Sequence, residues 1–342
     1  MTMTAARPYT QQTPSRTGMI RTKVSAALRY GAPFAIAIAF LAPLFIESRL
    51  TMQVLAIAYI NAAVVAGLVL SLGYTGLLNL SQGTFYGLGA YTTAILVTDQ
   101  GFGFLPAALC GMVVSGCAGM LLALASARVK GDYFVLVSLA ITIAVAQLIA
   151  NLPDLTGGRE GFFGLPEMSV LGLRFDNPTH TYYVCVLLLA VVYLFVHRVT
   201  KSFLGRAMLV VRYDDIAARS MGISPFKIRA FALVLSSTIA GLAGAVLVGT
   251  LQFIRPTDFD FNPSFMFTLY VIIGGMASLS GAVIVATGFA VLNEQFTTIS
   301  DYRIGVIGLV VLAVVFTRGG VVRDTLQKLL RNRGRREAIR HA

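Results

Sequence analysis

The sequence predicts an all-α protein: a polytopic membrane protein of about ten transmembrane helices with both termini cytoplasmic. Three observations predict it. Hydrophobic residues make up 56% of the 342 and charged residues only 12%, about half the charged share of a water-soluble domain. The apolar residues fall in long, unalternating runs, and about 20 such residues cross a hydrocarbon core as a helix, whose backbone bonds to itself. The 27 Lys and Arg lie between and outside the runs.

Residues 1–29 are polar, basic and rich in Ser, Thr and Pro, and read as a cytoplasmic tail. A cleavable leader around 30–46 is the alternative, disfavoured because a second apolar run follows at once. A membrane unit occupies 30–317, with spans at about 30–46, 52–72, 82–98, 104–127, 133–151, 180–197, 230–253, 264–278, 280–296 and 303–317. The largest internal cytoplasmic loop is 198–229. With the amino terminus inside, 22 Lys and Arg fall on the cytoplasmic side and five outside (Arg49, Arg159, Arg174, Arg255 and Arg303), the sense of the positive-inside rule. A second basic tail, 318–342, sets Val322, Leu326, Leu329 and Leu330 at helical spacing among arginines. It reads as lying on the anionic inner leaflet, where each basic residue contributes about 1 kcal/mol. The partner of this charge is then membrane lipid and not nucleic acid.

The spans lack the residues that chemistry needs. None holds a central Asp, Glu, Lys or Arg, the groups an ion-coupled pump keeps in the membrane. Glu294 comes nearest and reads as an interfacial carboxylate. His180, His197 and His341 sit at span ends or in the tail, so no HExxH or Ser/His/Asp set assembles, and no GxxxxGK[ST] phosphate loop occurs. An enzyme is not expected, the chain itself should hold no cofactor or metal, and energy for active transport must come from a partner. Cys110, Cys117 and Cys185 lie inside apolar runs and read as small core residues.

Glycine and small polar residues are what the spans do contain. Runs such as IAGLAGAVLVG (239–249) suit close helix approach. GYTGLLNLSQGTF (73–85) interrupts the apolar pattern with three glycines, Asn79, Ser81 and Gln82, and reads either as a broken helix lining a path or as a cytoplasmic turn. GMASLS (275–280) echoes its GxxNLS spacing, with both copies expected on the cytoplasmic side.

In the loop, KSFLGRAMLVVRYDDIAARSMGISPFKIRAF (201–231) predicts a short helix over 214–221, with Asp214 and Asp215 at its start and Gly222 at its end. A solvated surface helix and a docking helix are the two readings, and the spacing of Ala217, Ala218 and Gly222 favours docking. Here the sequence resembles the membrane subunits of bacterial ABC importers, whose EAAxxxG loop meets the ATPase. Ile216 stands at the Glu position, leaving Asp215 as a displaced stand-in. More narrowly, GYTGLLNLSQGTFYGLGAYTTA (73–94), RVKGDYFVLVSLA (128–140), LTGGREGFFGLP (155–166), LGRAMLVVRYDDIAARSMGI (204–223) and AGLAGAVLVGTLQFIRPTDFDFNPS (240–264) with IIGGMASLSGAV (272–283) resemble the branched-chain amino-acid importer permeases, in particular the longer, M-type member of their pair. FTRGGVV (316–322) departs from the family's FRPxGL turn.

The resemblance implies a bacterial inner-membrane permease working with a second, H-type permease, two cytoplasmic ATPase subunits that carry ATP and magnesium, and an extracytoplasmic solute-binding protein. It implies a coupling loop containing Arg206, Arg212, Asp214, Asp215, Ala217, Ala218 and Gly222. A path at the interface with the second permease is expected to use Asn79, Ser81, Gln82, Ser236 and Ser237. Asp154, Arg159, Glu160, Arg255, Asp258 and Asp260, with Glu167, Arg174 and Asp176, are expected either to dock the binding protein or to be ordinary loop charge. The expected solute is a branched-chain or related amino acid, with urea, short amides and aromatic acids as alternatives. A secondary transporter or channel is the rival of another class.

Overall fold

The computed structural model describes residues 48–126, 129, 131–165, 168–170, 173–174 and 177–295, with Ala39, Phe40 and Pro43. The runs expected to span at 30–46 (those three residues apart) and 303–317, and both basic tails, lie outside the described residues. The eight other expected spans each coincide with a helix. These are α1 (Arg49–Leu68, prolonged by a wider π turn, Val69–Tyr74), α2 (Gln82–Thr98), α3 (Phe104–Ser126), α4 (Asp132–Ala150), α6 (Pro178–Lys201), α9 (Pro225–Leu251), α10 (Phe261–Gly274) and α11 (Leu279–Gln295). Between them lie the short α5 (Pro153–Thr156), α7 (Phe203–Tyr213) and α8 (Asp215–Ser220). Among the described residues, Arg49–Tyr74, Phe104–Ser126, Tyr133–Ala150, Pro178–Lys201 and Pro225–Leu251 are long and apolar enough to cross a membrane.

The loop between α6 and α9 is more helical than the sequence reading had it. Ser202 accepts the Leu204 N–H at 3.1 Å and so caps a new helix, α7, while Pro225 occupies the first turn of α9 and starts it five residues before the expected position. A proline there supplies a preset φ and lacks only a donor that would be unpaired anyway.

Small residues set the core. α9 runs through the centre against α2 and α3, and its Gly241 and Gly244 face Ser115 of α3 and the Tyr86 carbonyl of α2. A Cβ at Gly244 would run into that carbonyl, so the backbones sit closer than any larger residue permits. Larger side chains fill the remaining space, among them the fully buried Phe85, Phe134, Tyr182, Leu189 and Leu233.

Two segments give the bundle its internal form. From the end of α1, residues 75–81 climb without helix into the middle of the bundle, where α2 begins beside Ser236, halfway along α9. From the end of α9, residues 252–260 descend from the opposite end through β4 (Phe253–Ile254) and a 3-10 turn (Pro256–Phe259) to the start of α10. The beginnings of these two helices meet: Gly83 N–H donates to Ser264 Oγ at 2.9 Å. The relation is inverted, helix then extended segment then half-depth helix, run from opposite ends. The GxxNLS echo is separate from this relation: 76–81 and 275–280 begin at the same end of the bundle, where a Cβ at Gly73 would strike the Met276 carbonyl oxygen. Residues 275–278 form an end turn, and the GxxxLS likeness reflects a shared local need, since Gly76 (φ +70°) and Gly275 (φ +101°) both adopt backbone that favours glycine.

At the descending end, β1 (Phe162–Phe163) pairs antiparallel with β4, and β2 (Ser169–Val170) with β3 (Leu173–Arg174). The other end carries α7, α8 and the basic residues between Arg198 and Arg229, and is called the basic end below.

Candidate functional site

At the basic end, Asp214 leaves the helical conformation (φ −156°, ψ 115°), and its carboxylate accepts the Ile216 and Ala217 N–H groups at 2.7 and 3.2 Å. That cap breaks α7 from α8. Gly222, at φ +76°, ends α8, and Ile223 N–H closes back on the Ala218 carbonyl at 2.9 Å. One face of α8 is fixed to the bundle: Ala218 is fully buried, and Asp215 takes a bidentate pair of bonds from Arg229 of α9 at 2.9 and 3.1 Å. Ile216 of α8 and its flanking residues Tyr213 and Met221 are 80%, 83% and 70% exposed. Asp215 is thus held within the chain, and the position where the resemblance places Glu presents an apolar side chain. Arg206 is exposed and donates to the Lys201 carbonyl at 3.3 Å. Arg212 turns inward, donating to the Gly73 carbonyl.

The polar residues expected on a path lie elsewhere. Asn79, Ser81, Gln82, Ser236 and Ser237 are fully buried. Most of their groups are bonded, while the buried Asn79 Nδ2 has no partner among the described residues. Gln82 donates to the Ser236 carbonyl at 3.2 Å, and Ser236 Oγ donates to Gln82 Oε1 at 3.2 Å. Asn79 Oδ1 accepts the Ser81 N–H at 2.9 Å, and Ser237 donates back to the Val234 carbonyl at 2.9 Å. Sequence reading missed the residues that complete this seam. Ser138 and Thr142 of α4 bond the Leu80 N–H and carbonyl at 3.1 and 2.9 Å, Ser81 Oγ donates to the Ser138 carbonyl at 2.8 Å, and Thr268 of α10 donates to the Asn79 carbonyl at 3.4 Å. Spacing was the available signal: Ser138 with Thr142 and Ser264 with Thr268 are i, i+4 pairs, each on one face of an apolar helix.

At the opposite end, Asp154 of α5 and Arg159 and Glu160 just after it are exposed, and Arg255 is exposed after β4. The β1–β4 pairing brings these two stretches together. Phe163 stacks on Phe253 at 6.4 Å between ring centres, with the Arg255 guanidinium 5.5 Å over the Phe253 ring. Asp258 turns inward and accepts the Arg255 N–H at 3.0 Å; Asp258 and Asp260 are half-buried. Of the same group, Glu167, Asp176 and the side chain of Arg174 lie outside the described residues, as does the side chain of Glu294.

Cys110 and Cys117 are exposed on α3, contrary to their reading as core residues, whereas Cys185 is buried. Their apolar flanks made the two read as core, but that side of α3 also carries the exposed Leu109, Val113, Leu121 and Leu124. His197 stacks on Tyr193 at 5.9 Å. Among the described residues no group of three or more His, Cys, Asp or Glu could hold a metal ion.

The family described as branched-chain amino acid transport system, permease component, matches residues 50–315. The chain is 31% identical over 309 residues to the high-affinity branched-chain amino acid transport system permease protein LivM of Salmonella typhimurium strain LT2, covering 83% of this chain and 73% of that one. LivM of Escherichia coli K12 gives the same identity and coverage. A probable branched-chain amino acid transport permease protein LivH of Methanocaldococcus jannaschii is 28% identical over 245 residues, covering 67% of this chain and 75% of that one. No solved structure matches the chain.

Proposed function

This chain belongs to the branched-chain amino acid ABC permease family, and from that premise we propose that it is the M-type membrane subunit of an importer in the bacterial inner membrane. Its working partners are an H-type permease, two cytoplasmic ATPases that hold the ATP and magnesium, and an extracytoplasmic binding protein that delivers the solute. The solute is a branched-chain amino acid or a close relative of one. The basic end faces the cytoplasm, as do the tails 1–29 and 318–342, and the membrane unit 30–317 has about ten spans. The loop 198–229 is its coupling element.

One observation carries this reading: α8 is pinned to α9 through Asp215 and exposes Ile216, flanked by the exposed Tyr213 before it and Met221 after it. A short helix with a fixed back and an apolar front suits a hydrophobic groove, into which Ile216 alone would bring about 2 kcal/mol. ATP-driven closure of the ATPases then moves α8 as a rigid part, and the bundle responds as a packed two-state body. Solute passes along the interface with the second permease. Asn79, Ser81, Gln82, Ser236 and Ser237 serve that path from behind, by holding the two half-depth helices in register. Asp154, Arg159, Glu160 and Arg255 surround an aromatic platform for the binding protein, with Asp258 and Asp260 shaping the turn beneath it.

The test is co-purification. Tagged chain drawn gently from its own membrane should bring an ATPase and a second permease, and Ile216→Asp should lower ATPase retention by about tenfold or more. A chain that comes alone and moves leucine into liposomes without ATP would be a secondary transporter.

A further inference from the structure

Three stretches distant in sequence meet on one side chain at the basic end. Arg212 lies in the last turn of α7, two residues before the Asp214 cap of α8. Its Nη1 donates to the Gly73 carbonyl in the π turn that ends α1, and its Nη2 lies 3.7 Å from Met276 Sδ in the turn between α10 and α11. Its stem lies over Gly76, where an added Cβ would come within 3.0 Å of Arg212 Cγ. The two turns also touch directly, because a Cβ at Gly73 would strike the Met276 carbonyl oxygen.

A guanidinium suits this place. The Gly73 carbonyl belongs to a helix end, where orphan carbonyls carry partial negative charge and a cation is favoured. A planar, permanently charged fork also holds two donors in fixed directions, where a lysine ammonium offers rotatable ones on a flexible stem. The contacts close a mechanical circuit. Gly73 leads through 75–81 into α2, whose Gly83 is bonded to Ser264 of α10, and α10 runs back to Met276.

We propose that Arg212 is the positioning residue that delivers displacement of the coupling helix to both turns, and through them to the two half-depth helices. This rests on the reading of α8 as the ATPase-docking helix. A static brace would contribute stability alone; a transmission residue makes the α10–α11 turn respond to nucleotide.

The experiment uses the complete importer with Cys110, Cys117 and Cys185 changed to Ala, and Ala277→Cys, at an exposed position of that turn, as a thiol reporter. Modification by a soluble maleimide is timed without nucleotide and with ATP plus vanadate. Arg212→Gln and Arg212→Lys are compared in the fraction of each variant that retains ATPase. The parent should change its labelling rate with nucleotide by about fivefold or more, a typical coupling; Arg212→Gln should lose the change and Arg212→Lys keep part of it. An undiminished response in Arg212→Gln overturns the proposal, as does a parent that hydrolyses ATP with no change in labelling. A parent that retains no ATPase at all fails one step earlier and overturns the docking reading of α8.

Discussion

The bond between Asp215 and Arg229 fixes the angle at which α8 leaves the bundle. Its two side chains are 27% and 22% exposed, and the bidentate geometry makes it stronger than an ordinary surface pair. Asp215→Ala and Arg229→Ala should each reduce ATPase retention, and the double variant should lose less than the sum of the two. A double-mutant cycle on binding is expected to give a coupling of about 1 kcal/mol or more. The charge-swapped pair, Asp215→Arg with Arg229→Asp, should recover part of the loss, which a direct role for Asp215 in contacting the ATPase would not allow. The sequence announces the cap at Asp214, because an aspartate pair ahead of a short small-residue helix ending in glycine has few other uses. It does not announce the partner of Asp215. Seven basic residues lie between 198 and 229, and only the corner formed by Gly222 and Pro225 selects Arg229.

Among the elements, α2 and α10 meet at their beginnings. Gly83 N–H, one of the orphan donors in the first turn of α2, is satisfied by a hydroxyl from the start of α10. Ser264→Ala removes that acceptor with little change of volume, leaving a buried donor unpaired at a cost of about 1–3 kcal/mol. A lowered Tm of the detergent-purified complex checks this, and Ser264→Thr, which keeps a hydroxyl, should lose less. Gly244→Val is expected to be far worse, with little folded protein recovered, since the Tyr86 carbonyl occupies the space. Spans were legible because twenty apolar residues in a row leave a chain few choices. Depth was not: GYTGLLNLSQ has the composition of a surface turn, and what takes it inward is polar bonding to Ser138, Thr142 and Thr268. The shortness of the run at 264–278 was the trace in the sequence of a helix that begins halfway.

At the scale of the whole molecule, charge and chemistry are separated. Among the described residues, acidic and basic side chains gather at the two ends, and the stretches 50–98, 100–127, 133–153, 230–254 and 261–293 contain no Asp, Glu, Lys or Arg. Exposed apolar side chains of α3, α4 and α6, such as Leu121, Leu136 and Leu194, lie on the outside of the bundle. The mid-bundle seam that joins α2, α4, α9 and α10 is built from amides, hydroxyls and backbone groups. Such a seam has an electrical consequence. A conformational change that carries no ionised side chain through the membrane does almost no work against the transmembrane voltage, where one elementary charge would meet about 2.3 kcal/mol per 100 mV. Uptake by the complete importer in proteoliposomes should therefore proceed at the same rate when potassium and valinomycin set the voltage at zero or at strongly negative values, and should stop when ATP is withdrawn. The import rate would follow the energy charge of the cell and ignore the electrical state of its membrane.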